Sequence, residues 1–281
     1  MTSRSPARQA AAGFARDPVG LCGLMVIVLI VLASLFGPGW YGVDPFDIVD
    51  APFSPPSEGP SLGTDYLGRD ILAGLLVGGR ASLLVGLVAA LISVTIGVSV
   101  GTVAGWNGGW VDKALMKATE FFQVLPALLF AMVLVALFGA RLWIETLAIG
   151  LVSWPGVARL TRAECLRLRE LDYVMSAVAA GAAPGYILGR VVLPNALPPI
   201  IVAATLSVGV AILFEGGLSF LGLGDPNVMT WGLMLGQNRS YLQDAWWAVT
   251  FPGAAIFLAV LAVSLLGDGI NDALNPRLRQ G

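Results

Sequence analysis

The chain has no histidine, two cysteines and only 12% charged residues in 281 positions. Without an imidazole there is no histidine proton relay, no histidine metal site and no Ser-His-Asp arrangement. Cys22 lies in an apolar run and Cys165 far along in a charged stretch, so both read as small buried hydrophobes rather than as a bridge. No G-x-x-x-x-G-K-[ST] run occurs, so the chain carries no ATP phosphate loop of its own. A formal net charge of −2 offers none of the basic surplus that nucleic acid requires. Charge is replaced by apolar mass: 57% of the residues are hydrophobic and the mean hydropathy is +0.81, far from the roughly 25% charged composition of soluble domains. This is the composition of an all-α integral membrane protein.

Taken in order, residues 1–17 form a tail with Arg4, Arg8 and Arg16, followed by an uncharged run whose first span is placed at 18–37. Its apolar core is longer than a signal peptide's and no A-x-A site follows, so it reads as a retained anchor. Residues 38–77 are rich in Pro, Gly and acid (Asp44, Asp47, Asp50, Glu58, Asp65, Asp70) and form an extramembrane loop. Five further spans follow at about 81–105, 118–139, 142–160, 200–217 and 246–267, and 271–281 is a second tail. Gly97, Gly101 and Gly105 put one glycine per turn on one face of the second span, for close packing within the bundle. Trp106, Trp110, Trp246 and Trp247 stand at span ends as interfacial anchors. The fourth span is weak, with Glu145 near its start and Pro155 near its end, and needs neighbours to shield it. Pro194, Pro198 and Pro199 confine regular helix in the fifth to the part beyond them.

Between spans four and five, residues 172–199 are neither a span nor an ordinary loop. Residues 173–183 contain five alanines and no charge, which favours helix until Pro184. Such a helix is roughly 16 Å long at about 1.5 Å per residue, half of the ~30 Å hydrocarbon layer. It is a connector docked on protein. The positive-inside rule supports this. With six spans and the N-terminus inside, Arg4, Arg8, Arg16, Lys113, Lys117, Arg159, Arg162, Arg167, Arg169, Arg190, Arg277 and Arg279 lie inside, and only Arg69, Arg80, Arg141 and Arg239 lie outside. A seventh span would move Arg190, Arg277 and Arg279 outside and erase the bias. Both termini and the connector are therefore expected in the cytoplasm. A transporter also needs a power source. The spans hold almost no ionisable groups apart from Glu145 and Glu215, so a separate motor touching the connector fits better than an ion gradient.

Several stretches carry a resemblance. Met175, Ser176 and Ala177, then Gly181, then Leu193 and Pro194, resemble the EAA loop of bacterial ABC importer permeases. LGTDYLGRD (62–70), RASLLVG (80–86), GLVSWPGVARL (150–160), LPNALPP (193–199), LSFLGLG (218–224), WGLML (231–235) and LLGDGINDALNPRLR (265–279) are similar to segments of the dipeptide/oligopeptide/nickel subfamily, C-type permease. The sequence departs from the pattern at Met175, where the family has glutamate, at Ser176 for its first alanine, and at Val191, often histidine. The resemblance implies a type I ABC importer permease domain over 78–270, six spans, and a coupling helix between spans four and five. It implies contact with an ATPase through Tyr173, Met175, Ser176, Ala177, Ala180, Gly181, Ala182, Pro184, Arg190, Leu193 and Pro194. The implied partners are a second, different permease, two P-loop ATPases that bind ATP and Mg, and a periplasmic or lipid-anchored substrate-binding protein. The implied setting is the bacterial inner membrane. The chain itself would hold no cofactor or metal and catalyse nothing, and its cargo would be short peptides, with nickel complexes, opines or glutathione as the family's alternatives.

Three sharper readings stand beside this one. A secondary transporter would run on a proton or sodium gradient. Gly222-Leu223-Gly224-Asp225 matches the G-x-G-D of intramembrane aspartyl proteases, but a second aspartate at the same depth is missing. Glu215, near the outer end of span five, is either a gate or pathway residue or an acid hydrogen-bonded to the outer loop.

Overall fold

The computed structural model describes residues 12–56 and 59–274. Arg4, Arg8, Glu58, Arg277, Arg279 and most of the two expected tails lie outside the described residues. Within the described residues the chain is helices and loops, with only two isolated bridges, Ile48 to Arg69 and Thr64 to Asp70. The helices are α1 (Pro18–Tyr41), α2 (Ile71–Asn107), α3 (Gly109–Val124), α4 (Ala127–Phe138), α5 (Leu142–Arg169), α6 (Asp172–Ala179), α7 (Pro184–Ile187), α8 (Leu193–Phe220), α9 (Trp231–Asn238) and α10 (Trp246–Leu274). A π-helical segment, Leu188–Val192, joins α7 to α8.

Four stretches are long and apolar enough to cross a membrane: α1, α2, the run Pro184–Phe220, and α10. The pair α3 and α4, bent by 82° at Leu125 and Pro126, makes a fifth if it counts as one span. The stretch expected as the fourth span falls in α5, which is not among them. Its place in the bundle gives the reason. Ile144, Ile149, Val152, Val157 and Ala158 are buried against neighbouring helices, and among them stand Glu145, Thr146, Ser153, Pro155 and Arg159, which lower the hydropathy of a helix shielded by its neighbours.

Helix starts follow from side-chain chemistry. Asp17 caps α1, accepting from the N–H groups of Val19 and Gly20 at 3.0 Å, with Pro18 in the first turn. Asp70 caps α2 at 2.7 Å from Leu72 N and also accepts the Tyr41 hydroxyl at 2.6 Å, which ties the end of α1 to the start of α2. Pro38 lacks an N–H and so leaves the Ser34 carbonyl without its helical donor; Arg80 Nε of α2 supplies one at 2.6 Å. In the loop between α1 and α2, burial pushes the Asp65 carboxyl up, against the backbone N–H groups of Leu67 and Arg69 that favour its charge.

Helix α8 starts earlier than expected from its prolines. It begins at Leu193 and runs through Pro198 and Pro199. Pro194 occupies the first turn, where no N–H is needed. The carbonyls that Pro198 and Pro199 deprive of donors belong to Pro194 and Asn195, both exposed residues. The Asn195 side chain also donates to Val191 O at 2.6 Å.

Small residues set the closest helix contacts. Gly97, Gly101 and Gly105 all face α5: a Cβ on Gly97 would lie 2.9 Å from Trp154 O, and one on Gly105 2.7 Å from Cys165 Cβ. The Gly101 position abuts the Ala158 carbonyl. Gly150 of α5 returns the contact, with Ile92 Cβ at 2.8 Å and Ala89 O at 3.1 Å. A second seam joins α1 to α10, where Gly20 meets Gly269 and a Cβ on Gly23 would lie 2.7 Å from Ala262 O. Gly101→Val is therefore expected to destabilise the chain in lipid by about 1–3 kcal/mol through overpacking. Gly39→Ala, with no atom within 4 Å of the new Cβ, should be neutral or stabilising by up to about 1 kcal/mol. Equal thermal midpoints for Gly101→Val and the parent chain would disprove this account of the seam.

Candidate functional site

The connector is built outward from the end of α5. Arg162 forks onto Asp112 of α3, with Nη2 to Oδ2 at 2.6 Å, and Arg169 Nη1 donates to the Trp106 carbonyl at the end of α2 at 2.9 Å. Arg167 pairs with Glu164 one turn back at 2.7 Å. The last turns of α5 are thus fastened to the α2–α3 corner before the chain turns into α6.

Helix α6 is shorter than the helix expected over 173–183, because it stops at Ala179. Gly181 has φ +78°, and the turn is a Schellman cap: Gly181 N–H donates to Val178 O at 2.9 Å and Ala182 N–H to Ala177 O at 3.1 Å. Chain reversal is therefore set by Gly181 before Pro184, which instead opens α7. Val174 is fully buried against Cys165, Leu168, Ile187, Val192 and Ala196, with Ala177 and Ala182 beside it. The rest of the connector is open. Tyr173, Met175, Ser176, Ala180, Gly181, Pro184, Arg190 and Pro194 are exposed, and Leu193 is half-buried. Tyr173, Met175 and Val178 present an apolar face at 45%, 52% and 55% exposure. A short helix pinned at both ends, with an unpartnered apolar face, can transmit a push from another protein into α5 and α8.

At the opposite end, Glu215 of α8 is completely buried. Its carboxylate accepts three hydroxyls: Thr230 at 2.7 Å, Ser219 at 3.0 Å and Ser82 of α2 at 3.1 Å. Thr230 caps α9, accepting Leu233 N–H at 3.0 Å, and Ser82 accepts Trp231 N–H at 3.1 Å. The acid sits at the start of α9 and holds that helix to α2 and α8. Sequence reasoning singled out Glu215 and missed its partners, because hydroxyls 15 and 133 positions away carry no local signal. Glu145 of α5 is also completely buried, and neither of its oxygens has a hydrogen-bond partner among the described residues. Asp225 acts as a cap: it accepts Leu142 N–H at 3.2 Å, and Asn227 N–H at 3.0 Å. Of the four tryptophans expected at interfaces, Trp110 and Trp246 are exposed and Trp106 is half-buried. Trp247 is instead buried and donates to Thr64 O at 3.1 Å, closing the outer loop onto α10. Cys165 is buried, Cys22 is exposed on α1, and neither is bridged. Among the described residues no cluster of His, Cys, Asp or Glu could hold a metal ion.

Comparison with known proteins adds a second line of observation. The family described as "Binding-protein-dependent transport system inner membrane component" matches residues 97–280, and "N-terminal TM domain of oligopeptide transport permease C" matches residues 5–56. The chain is 41% identical over 283 residues to the di/tripeptide transport system permease protein DppC of Pseudomonas aeruginosa (strain UCBPP-PA14), covering 98% of this chain and 93% of that protein. It is 45% identical over 278 residues to the dipeptide transport system permease protein DppC of Escherichia coli (strain K12), covering 95% and 92%. In structure it is similar to a chain of the MetNI methionine ABC transporter in an inward-facing conformation, with TM-score 0.60, 18% identity, and 72% of this chain and 96% of that chain covered. That likeness shows the fold.

Replacing Glu215 by alanine leaves the three hydroxyls without their acceptor. The expected result is a loss of about 3 kcal/mol of local stability in α9, read as roughly a hundredfold faster amide exchange over Trp231–Asn238. Parent-like exchange there together with lost transport would instead assign the carboxylate to the pathway.

Proposed function

The chain belongs to the family of binding-protein-dependent transport system inner membrane components, and from that premise we propose that it is the permease subunit through which an ABC importer takes up di- and oligopeptides, driven through the α6 connector. The two relatives described above, similar over nearly the whole length, are named as di/tripeptide and dipeptide transport permeases, and this supports the choice of cargo. The observation that carries the coupling role is the exposed face of α6, fastened to α5 on one side and to the π segment and α8 on the other.

In this reading the N-terminus, C-terminus and connector face the cytoplasm and the α1–α2 loop faces the periplasm. Six spans cross, with α3 and α4 as one bent span and α5 as another. Two P-loop ATPases, which bind ATP and Mg, receive α6 in a groove. A second, different permease completes the pathway, and a periplasmic or lipid-anchored binding protein delivers the peptide at the loop end. Closure of the ATPases pushes α6. The push enters α5 at its C-terminal end and passes to the α2–α3 corner through Arg162 and Arg169 and to α2 through the glycine seam, so the two helices rock as one body. The chain moves cargo and performs no covalent chemistry. Met175 places a flexible apolar side chain where the family has glutamate, so contact there is by packing and the polar contacts come from neighbouring Arg and Glu groups.

The test uses the assembled importer in lipid, measuring ATP hydrolysis with and without the binding protein. Gly181→Trp adds bulk at an exposed turn with no atom within 4 Å of the Cβ position and, at φ +78°, also strains the Schellman cap that ends α6. It is expected to abolish stimulation while the complex still assembles, and Met175→Glu is expected to keep stimulation. Undiminished stimulation in Gly181→Trp would move transmission to the C-terminal half of α5. Dipeptide uptake that survives ATP depletion but stops when the proton or sodium gradient is collapsed would replace the importer with a secondary transporter.

A further inference from the structure

A polar cleft of about 760 Å³ opens between α3 and α5, near the connector end and away from the α6 face. That volume lies in the roughly 300–1,000 Å³ range of small-molecule sites. Its walls include Thr119, Glu120, Gln123, Gly156, Arg159 and Arg162. Arg162 is committed to Asp112. Arg159 is held only by Gln123, its Nη1 donating to Oε1 at 3.0 Å, and it has no carboxylate partner among the described residues. Glu120 likewise makes neither an ion pair nor a hydrogen bond among them. The cleft therefore offers one uncommitted cation and one uncommitted carboxylate.

Gly156 supplies an independent observation. The seam glycines of α2 and α5 each have atoms within about 3 Å of a Cβ position, and the turn glycines have positive φ. Gly156 has neither reason, and unlike Gly39, Gly185 and Gly189, which are equally open, it lines the cleft: it lies inside helix α5, with no atom within 4 Å of the position a Cβ would take. Glycine inside a helix is unfavourable relative to alanine, so what it provides here is room on the cleft wall. An apolar helix filling that room would strip water from Arg159 and Glu120 without pairing them. A ligand with one carboxylate and one ammonium would pair both.

We propose that the cleft between α3 and α5 is an exit-side site for zwitterionic short peptides, in which Arg159 takes the terminal carboxylate, Glu120 takes the terminal ammonium, and Gly156 leaves space for the peptide backbone. The inference rests on the peptide-import reading and adds to it a place where cargo pauses after leaving the midplane. Ligand bound there touches α5 about one turn from Arg162, so occupancy is felt by the helix that leads into α6.

The test is calorimetric titration of the assembled importer in phosphatidylcholine nanodiscs, without nucleotide or binding protein, using dialanine, dialaninamide and N-acetyl-dialanine as probes. Dialanine should bind, and removing either terminal charge should weaken binding about tenfold or more. Arg159→Gln should weaken dialanine to the same extent but leave dialaninamide, which has no carboxylate, unchanged; Arg159→Lys should recover part of the loss. Glu120→Gln should do the same for the ammonium, sparing N-acetyl-dialanine. Gly156→Leu should weaken all three peptides while the thermal midpoint stays at or above that of the parent. Absence of dialanine binding, equal losses for charged and blocked peptides, or equal displacement by O-phosphoethanolamine, which would mark a lipid-headgroup site, overturns the proposal. Parallel uptake assays separate the two readings. Normal peptide uptake with no charge discrimination at the cleft removes this inference alone, whereas no uptake of any peptide removes the import reading whatever the cleft binds.

Discussion

Contact between the backbones of α2 and α5, through Gly97, Gly101 and Gly105 on one helix and Gly150 on the other, is the constraint on which the rest of the structure depends. In lipid there is no hydrophobic gain from bringing two apolar helices together, so association rests on dispersion at short range and on polar contacts. Backbone-to-backbone approach gives the largest share of the first. It also removes the side chains whose rotamer changes would let one helix slide over the other. A helix pair joined this way moves as one body.

Polar contacts then latch the two ends of that body. At the connector end, Arg162 on Asp112 and Arg169 on the Trp106 carbonyl fasten α5 to the α2–α3 corner. At the loop end, Asp225 caps α5 and Glu215 gathers Ser82, Ser219 and Thr230, joining α2, α8 and α9. Each latch is satisfied within the chain. The outer face of α6 and the cleft beside Arg159 are not, and those are the surfaces proposed above for an ATPase and for cargo. The division suits a permease subunit: the part that must stay rigid is closed on itself, and the parts that must exchange partners are open.

Much of this was legible in the residues. Scarce charge and long apolar runs identified a membrane protein, and the four-residue spacing of the glycines placed them on one helix face. The short alanine-rich connector between Asp172 and Pro184 stood out for its length alone. Other features were hidden for physical reasons. Hydropathy counts residue types and not their neighbours, so α5, which carries Glu145, Ser153 and Pro155 and is shielded by the helices around it, looked weak. Prolines at 198 and 199 looked like helix breakers, yet the helix runs through them, and the residues whose carbonyls they deprive of donors, Pro194 and Asn195, are exposed. Trp247 looked like an anchor at the membrane surface, but its indole is spent on the Thr64 carbonyl, 183 residues away in the chain.

Composition and local order by themselves determined that this chain is helical, lies in a membrane, turns back through a short connector, and contains neither a phosphate loop nor histidine chemistry. Those properties depend on which residues are present and on contacts a few positions apart. Only the tertiary structure decided which helix each glycine meets, that Glu215 is an anchor for α9, and that Arg159 and Glu120 line one cleft. Each of these depends on which distant atoms come within a few ångströms, and sequence spacing carries no information about that distance.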